Sequence, residues 1–396
     1  MNNFDATTFG VKGDGATDDT DAANAALAAA WAAAAKYPSS LHYPAGRYIM
    51  SGPLAPPGPL IGNLSIFGDP GDCTQFLFVN PTDGLRFDLS TGTYPFLNTV
   101  ATSDLAILAG AACGCPYSVD YGIGNGTDTG AETNRGSSMR RVSIGAVFSG
   151  RYVQATPGAG WTCGPKFNVC HALTLEDLFL YGCGTLNAPA VAGAPGSGNP
   201  LHLSSCINPR IFGVYMSQWN SPILLDNAGN GLTDCQGAFF GHIRGVSMGA
   251  LLTALGTPAA FPNGLADISI TDAQLDNSYS GNLYQGGVDI EYGSDIKIDG
   301  LWAQASNGGT MVRINGSSGV KISKCKLYAG MPLPIVLFTG GTSGSFIEGG
   351  NIILGNEIGV QIDKGSPNNK IERQGIGTID PKGQAIANFE VTTIFA

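Results

Sequence analysis

The second half of the chain carries a repeating pattern of apolar and polar positions. From about residue 207, short apolar strands alternate with tight turns at a period of about 25 residues. The first strand of each unit reads RIFGVYM, DISITDAQL, DIKIDGLWA, GVKISKCKL and SFIEGGNI; the second reads PILLDN, GVDIEY, MVRING, PIVLFT and GVQIDK. Asn-Gly, Ser-Gly and Gly-Ser pairs punctuate them, as turns require. Side chains alternate between the two faces of a strand, so Ile211, Ile270, Ile298, Ile322 and Ile347 are expected to stack inside one sheet. Leu225, Ile290, Ile314, Phe338 and Ile362 are expected to stack inside another, with residues 232–264 as an insertion between the first two units. A helical solenoid needs helices of ten or more residues per unit, and these units have none. A sandwich is the alternative, but its strands would not repeat in this register. The pattern therefore predicts an all-β solenoid, a parallel β-helix.

The start of the chain is organised differently. Gly13-Asp14-Gly15 reads as a tight turn, and Thr17 is positioned to cap a helix beginning at Asp18-Asp19. That helix runs through TDAANAALAAAWAAAAK, with Leu27 and Trp31 on one face, and Lys36 and Pro38 mark its stop. A solenoid must cover the open end of its core, and this helix is expected to be the N-terminal cap. LHYPAGRYIMS, LSIFG and TQFLFV follow as strands. Between about residues 110 and 200, long Gly/Ser/Pro/Ala-rich loops separate the strands SMRRVSI and ALTLEDLFLYG. Loops of this length on a rigid scaffold usually carry binding or subunit contacts.

Composition agrees with short strands joined by turns. Of 396 residues, 58 are Gly and 23 Pro, and only 13% are charged. The net charge of −10 and the lack of a Lys/Arg cluster remove the electrostatic footprint of nucleic-acid binding. No run of 18 apolar residues suggests membrane insertion. The opening MNNFDATTFG lacks the charged and apolar regions of a signal peptide. The nine Cys form no CxxC pair, and with four His the zinc spacings are absent. Free, buried thiols are the favoured reading, with Cys163 and Cys170 the favoured pair for any disulfide.

Three segments then carry a family resemblance: Phe9-Gly10-Val11-Lys12-Gly13-Asp14-Gly15, Thr17-Asp18-Asp19-Thr20 and, after the helix, Tyr43-Pro44-Ala45-Gly46-Arg47-Tyr48. They resemble the pectate-lyase-like family, which spans microbial carbohydrate enzymes and phage tail-spike depolymerases. The resemblance implies a right-handed, single-stranded parallel β-helix. It divides the chain into a cap with first coils (1–80), the β-helix (81–374) and a short C-terminal tail or clasp (375–396). Asp14, Asp18 and Asp19 are expected to hold the turn and the helix start by hydrogen bonding rather than to catalyse. A carbohydrate polymer along the outer face and a homotrimer of side-by-side solenoids are also implied.

Two chemistries then compete. Glycoside hydrolysis needs two carboxyls, and GVDIEY supplies Asp289 and Glu291. With Val288 and Ile290 inward, both acids face outward about 6.6 Å apart along the strand, near the inverting window of about 6.5–9.5 Å. Arg313 should stand level with Asp289 on the next coil, to bind a sugar or hold the acid. Asp272, Asp276 and Asp299 complete an acidic cluster, and acids one coil step of about 4.8 Å apart could form a closer, retaining pair. A second group is Asp226, Asp234 and His242. Polygalacturonase-type hydrolases on this fold carry acids followed by Gly-His-Gly; here Ile243 follows Gly241-His242, so those roles are not carried over. Lyase chemistry needs a base and a positive group or calcium beside a uronic acid. Tyr279, Tyr284, His242, Arg244 and Lys297 are the candidate bases, and no calcium-loop spacing is visible. Trp161, Trp219 and Trp302 are candidates for stacking on sugars, with core or subunit packing the favoured reading.

The leading functional expectation is a phage or prophage tail-spike-like glycoside hydrolase that cuts a bacterial surface polysaccharide and needs no cofactor. It would be a virion or extracellular protein, a placement favoured by the absence of a visible signal peptide. A secreted pectate-lyase-like enzyme is the second reading, and a non-catalytic glycan-binding spike the third.

Overall fold

The computed structural model describes residues 1–58, 62–89, 98–121, 136–146, 158–182, 194–227, 234–246, 248–260, 264–276, 287–305, 309–330, 334–355, 359–372, 375–379 and 385–389. These residues wind into stacked coils in which each strand pairs in parallel with its counterpart one coil away. The exception is Ala385–Phe389, which runs antiparallel to Gly375–Ile379 at the C-terminal end.

Each coil contributes to three faces. Sheet I is a ladder of ten strands from Leu85–Asp88 to Val360–Ile362. The remaining large sheet is bent lengthwise. Long strands such as Thr99–Ala109, Ser138–Ala146, Phe239–Val246 and Ser269–Asp276 run through the bend. Other coils break at the bend into separate strands, such as Thr174–Glu176 and Phe179–Tyr181, or Lys297–Asp299 and Trp302–Ala305. We call the halves before and after the bend sheets II and III.

The bend has one cause repeated coil after coil. Asp104, Arg141, Asp177, Gly213, His242, Asp272, Gly300 and Lys324 occupy equivalent places in the register, and all have φ between 49° and 75°. This left-handed conformation costs little only for Gly and is tolerated by Asp and Asn. Lateral hydrogen bonds hold it, such as Asp177 N–H to the Phe212 carbonyl (3.0 Å) and Gly300 N–H to the Ser323 carbonyl (3.0 Å).

The inward columns are continuous. Ile211, Phe240, Ile270, Ile298, Ile322 and Ile347 are in lateral register and buried. Sheet I stacks Leu225, Ala254, Ile290, Ile314 and Phe338 in the same way, with Ile362 half-buried at the end. Phe240 and Ala254 correct the expectation of an insertion at 232–264. That stretch contains a full coil, with Phe239–Val246 in sheets II and III and Leu252–Leu255 in sheet I. Its Gly-rich strand FFGHIRGV masks the alternation. Gly241 is required there, because a Cβ would meet the Phe212 and Phe239 rings at 2.9 Å.

The helix Thr20–Ala34 closes the N-terminal end, burying Ala23, Ala26, Leu27, Ala30, Trp31 and Ala34. Trp31 stacks on Phe87 of sheet I, with ring centroids 6.0 Å apart. The helix starts later than the sequence suggested. Asp19, not Thr17, is the N-cap residue, and Thr17 lies in the strand Asp14–Asp18. The three acids are structural. Asp19 accepts from the Lys12 and Gly13 N–H groups (2.7 and 3.0 Å). Asp14 accepts from the Ala16 and Thr17 N–H groups, and Asp18 from the Ser51 and Thr20 hydroxyls.

The cysteines are free as expected, although Cys73 is exposed and Cys115 and Cys163 are only partly buried. The eight described cysteines are all free thiols, so Cys163 and Cys170 are not bridged. Cys170, Cys206 and Cys235 are buried and stack on successive coils, the Cys206 N–H reaching the Cys235 sulfur at 3.3 Å. Cys183 lies outside the described residues.

The hydrogen bonds to Asp14 and Asp18 predict an acid-sensitive start to the solenoid. Backbone donation from Thr17 and Ala16 lowers Asp14 from 3.8 to about 2; the Ser51 and Thr20 hydroxyls do the same for Asp18. A carboxylate with a lowered folded pKa contributes stability above its unfolded pKa and loses it as pH falls through the folded value. This contribution should therefore be complete above about pH 4 and fade between 3.8 and about 2. Urea midpoints from pH 5 to pH 2 should fall less steeply in Asp18→Asn than in the parent.

Candidate functional site

Sheet I presents two outward columns of side chains. One contains Arg86, Lys166, His202, Asp289 and Arg313; the other contains Asp88, Asp120, Asp226, Glu291 and Asp363. Apart from Asp289, the charges separate, with cations in the first column and acids in the second. Coils about 4.8 Å apart repeat these groups along the solenoid axis.

The strand Val288–Glu291 turns Val288 and Ile290 inward and Asp289 and Glu291 outward, as the alternation predicts. Arg313 stands beside Asp289 on the next coil. Its Nε donates to Asp289 Oδ1 at 2.8 Å, and one terminal nitrogen donates to Asp289 Oδ2 at 2.5 Å and to Glu291 Oε1 at 2.7 Å. Donation to Asp289 is the main cause that raises Arg313 above its ordinary pKa. A nitrogen shared between the two carboxylates limits the gap between those oxygens to about 5 Å. The carboxylates also differ: Asp289 meets the guanidinium fork with both oxygens, Glu291 with one.

The other acids of the expected cluster stand on other faces. Asp272 is at the bend, where its Oδ2 lies 2.5 Å from His242 Nδ1. Asp276 is on sheet III and accepts from Gln304 (3.0 Å). Asp299 is on sheet II, bonded to the Ser323 hydroxyl (2.9 Å) and 3.5 Å from Lys324 Nζ. Burial pushes Asp299 up, but Ser323, Lys324 and Lys297 outweigh it and leave it below its usual value. Sequence proximity misled because the coil turns between successive strands. Arg244 and Trp302 lie on the outside of sheet III, flanking Gln274 in the register. Lys297 is on sheet II, and Tyr279 and Tyr284 fall outside the described residues.

The second expected group does not assemble. Asp234 is buried and accepts from the Thr257 N–H and hydroxyl (both 2.7 Å). Asp226 meets His202, not His242: Asp226 Oδ1 lies 2.9 Å from His202 Nε2 and accepts from the Ser204 hydroxyl at 2.6 Å. Burial raises Asp226, but His202 and Ser204 more than offset it, and its pKa falls. Sequence reasoning missed His202 and Ser204. The signal was LHLSS, in which His and Ser occupy alternate, outward positions.

Of the tryptophans, Trp219 is removed from the candidate sugar-binding residues, and Trp161 packs as favoured. Trp219 is 0% exposed, with its indole N–H donating to the Leu180 carbonyl at 3.0 Å. Trp161 is equally buried and bonds the Ile107 carbonyl at 3.3 Å. Neither offers a face to a sugar. Among the described residues, no group of three or more His, Cys, Asp or Glu is arranged to hold a metal ion, and no helix is long and apolar enough to cross a membrane. Trp219→Ala should cost about 3–5 kcal/mol in urea unfolding. Trp302→Ala, at a half-exposed position, should cost well under half of that.

Comparisons with known proteins agree with this architecture. The family described as rhamnogalacturonase A/epimerase, pectate lyase-like, matches residues 3–82. No curated protein sequence matches the chain. Among solved structures, the A-module of the Azotobacter vinelandii mannuronan C-5 epimerase AlgE6 superposes with a TM-score of 0.62 at 15% identity, covering 96% of this chain and 100% of the module. The Streptococcus pneumoniae surface protein and adhesin PfbA gives 0.53 at 12% identity, over 95% of this chain and 98% of its own. From its capped first coil to its last lateral pair, the chain has the right-handed parallel β-helix fold of the pectate-lyase-like superfamily, a fold that carbohydrate-active enzymes and binding proteins share.

Proposed function

We propose that the protein is a polysaccharide depolymerase of the glycoside hydrolase class, and that its glycan lies across the outer face of sheet I. The observation that carries this reading is the Asp289–Arg313–Glu291 arrangement. A bidentate guanidinium fork suits an ionised carboxylate. Asp289, gripped at both oxygens, is therefore assigned as the nucleophile. Glu291, held at one oxygen, is assigned as the acid/base that protonates the leaving oxygen and later activates water. Sugar hydroxyls entering the site would take over part of Arg313's bonding. The separated columns of cations and acids would grip successive sugars by hydrogen bonds. Asp272, Asp276, Asp299, Trp302 and Arg244, on the other faces, are left outside this centre. A bacterial surface polysaccharide as substrate, a virion or extracellular location and a homotrimer belong to the same reading; light scattering coupled to gel filtration checks the trimer.

Incubation with capsular or cell-surface polysaccharides should release reducing ends and lower viscosity. Asp289→Asn and Glu291→Gln should each reduce kcat/KM on the order of 10²–10⁴-fold with folding intact. Proton NMR of the first product should show retained anomeric configuration. Full activity in both variants would reject the assignment.

A second reading is favoured by one observation, the His202–Asp226 pair with Lys166 beside His202 in the first column. An imidazole braced by a carboxylate is a base, and a neighbouring ammonium can neutralise a uronic carboxylate, the two needs of β-elimination. In that case the product should absorb in the ultraviolet. His202→Ala should then abolish turnover, while Glu291→Gln should retain most of it.

A further inference from the structure

Cys115 and Cys163 stand side by side on adjacent coils. The register pairs Ala112 with Gly160 and Cys113 with Trp161. It continues through the Thr162 N–H to the Cys113 carbonyl (2.9 Å) and the Cys163 N–H to the Gly114 carbonyl (3.5 Å). Two residues beyond the Cys113–Trp161 pair, Cys115 and Cys163 thus occupy equivalent places. Parallel neighbours lie about 4.8 Å apart, within the Cα range of about 4.4–6.8 Å that a disulfide spans. Each thiol is the largest single influence on the acidity of the other, as adjacent sulfurs should be. Cys115 Sγ also donates to the Tyr117 carbonyl (3.1 Å) and the Gly164 carbonyl (3.4 Å).

Access separates this pair from the other stacked cysteines. Cys170, Cys206 and Cys235 are buried, whereas Cys115 and Cys163 are partly exposed. The pair is also electrostatically divided. The Cys115 thiol, with help from Lys166, lowers Cys163 to about 7, while Cys115 is pushed up by Cys163 and by burial. At neutral pH, Cys163 therefore supplies a thiolate and Cys115 keeps its proton.

We propose that Cys115 and Cys163 are an oxidisable pair that closes to a disulfide by exchange with a small-molecule disulfide of the oxidised-glutathione type. The Cys163 thiolate attacks one glutathione sulfur, the glutathione S–S bond breaks, and one glutathione leaves as a thiolate. Cys115 then gives its proton to that thiolate and attacks Cys163 Sγ in the mixed disulfide, releasing the second glutathione. Two protein thiols are oxidised to one disulfide, and one oxidised glutathione is reduced to two thiols. The bridge ties together the starts of Tyr117–Asp120 and Lys166–Asn168, two neighbouring strands of sheet I. The inference stands independently of the catalytic assignment.

The test uses the full chain equilibrated with mixtures of reduced and oxidised glutathione, alkylated, digested and mapped by mass spectrometry. A peptide linking Cys115 to Cys163, lighter by two hydrogens than the reduced pair, is expected in oxidising mixtures. A bridge between Cys163 and Cys170, or Cys115 and Cys163 both remaining alkylatable in every mixture, would overturn the proposal. As a second readout, the rate of Cys163 alkylation should titrate with a midpoint of about 7 in the parent. That midpoint should rise in Cys115→Ala; an unchanged one would also overturn it.

Discussion

Lateral hydrogen bonding between equivalent residues of successive coils governs everything else in this molecule. Each strand finds its donors and acceptors one coil away, so a residue's neighbours are set by its place in the coil and not by its place in the chain. Inward columns of Ile, Leu and Phe follow, because a side chain that turns inward in one coil is stacked on its equivalent in the next. The sharp corner between sheets II and III follows too. A left-handed residue at one position rotates the strand direction, and lateral bonding obliges every later coil to repeat the rotation.

That obligation explains why residues as unlike as Arg141, His242 and Lys324 adopt a conformation suited to glycine. The cost of a left-handed residue falls on each coil singly. The gain is shared, because a coil that refused the turn would forfeit its hydrogen bonds and core contacts on both sides. Polar side chains at the corner then recover part of the cost. Arg141 reaches Asp104 with two bonds of 2.6 and 2.8 Å, and His242 reaches Asp272.

The same constraint decides what could be read in the sequence. Alternation along GVDIEY fixes the outward direction of Asp289 and Glu291, and the repeat places Arg313 beside Asp289; both are local or periodic signals. The shared guanidinium nitrogen is neither, and it bridges the two carboxylates. Asp272, Asp276 and Asp299 are near in sequence and match in charge, yet they stand on different faces, because the corner between them is marked only by a Gly or polar residue, a signature too common in this chain to place it. The opposite error occurs at FFGHIRGV. There Gly241 and Gly245 break the apolar alternation, and a full coil reads as an insertion. Trp219 shows a third limit, since a large aromatic after a strand has the same sequence appearance whether it plugs the core or faces solvent.

Charge separation on sheet I also follows from stacking, and it limits where chemistry can occur. Like charges in one column repel at a spacing of about 4.8 Å. Outside the Asp88–Asp120 neighbours, the columns relieve this by interleaving Ser118, Leu224 and Thr253 among the cations and Asn168, Ser204 and Asn315 among the acids. Bonds then form across columns, a hydrogen bond at His202–Asp226 and an ion pair at Arg313–Glu291. Asp289 is the exception, an acid in the cationic column, and its presence draws Arg313 into contact with two carboxylates at once. A chain with net charge −10 thus concentrates opposed charges on one outer face without making that face uniformly acidic. A neutral or anionic glycan can approach such a face at Asp289 and Glu291, because both acids already hold the Arg313 guanidinium.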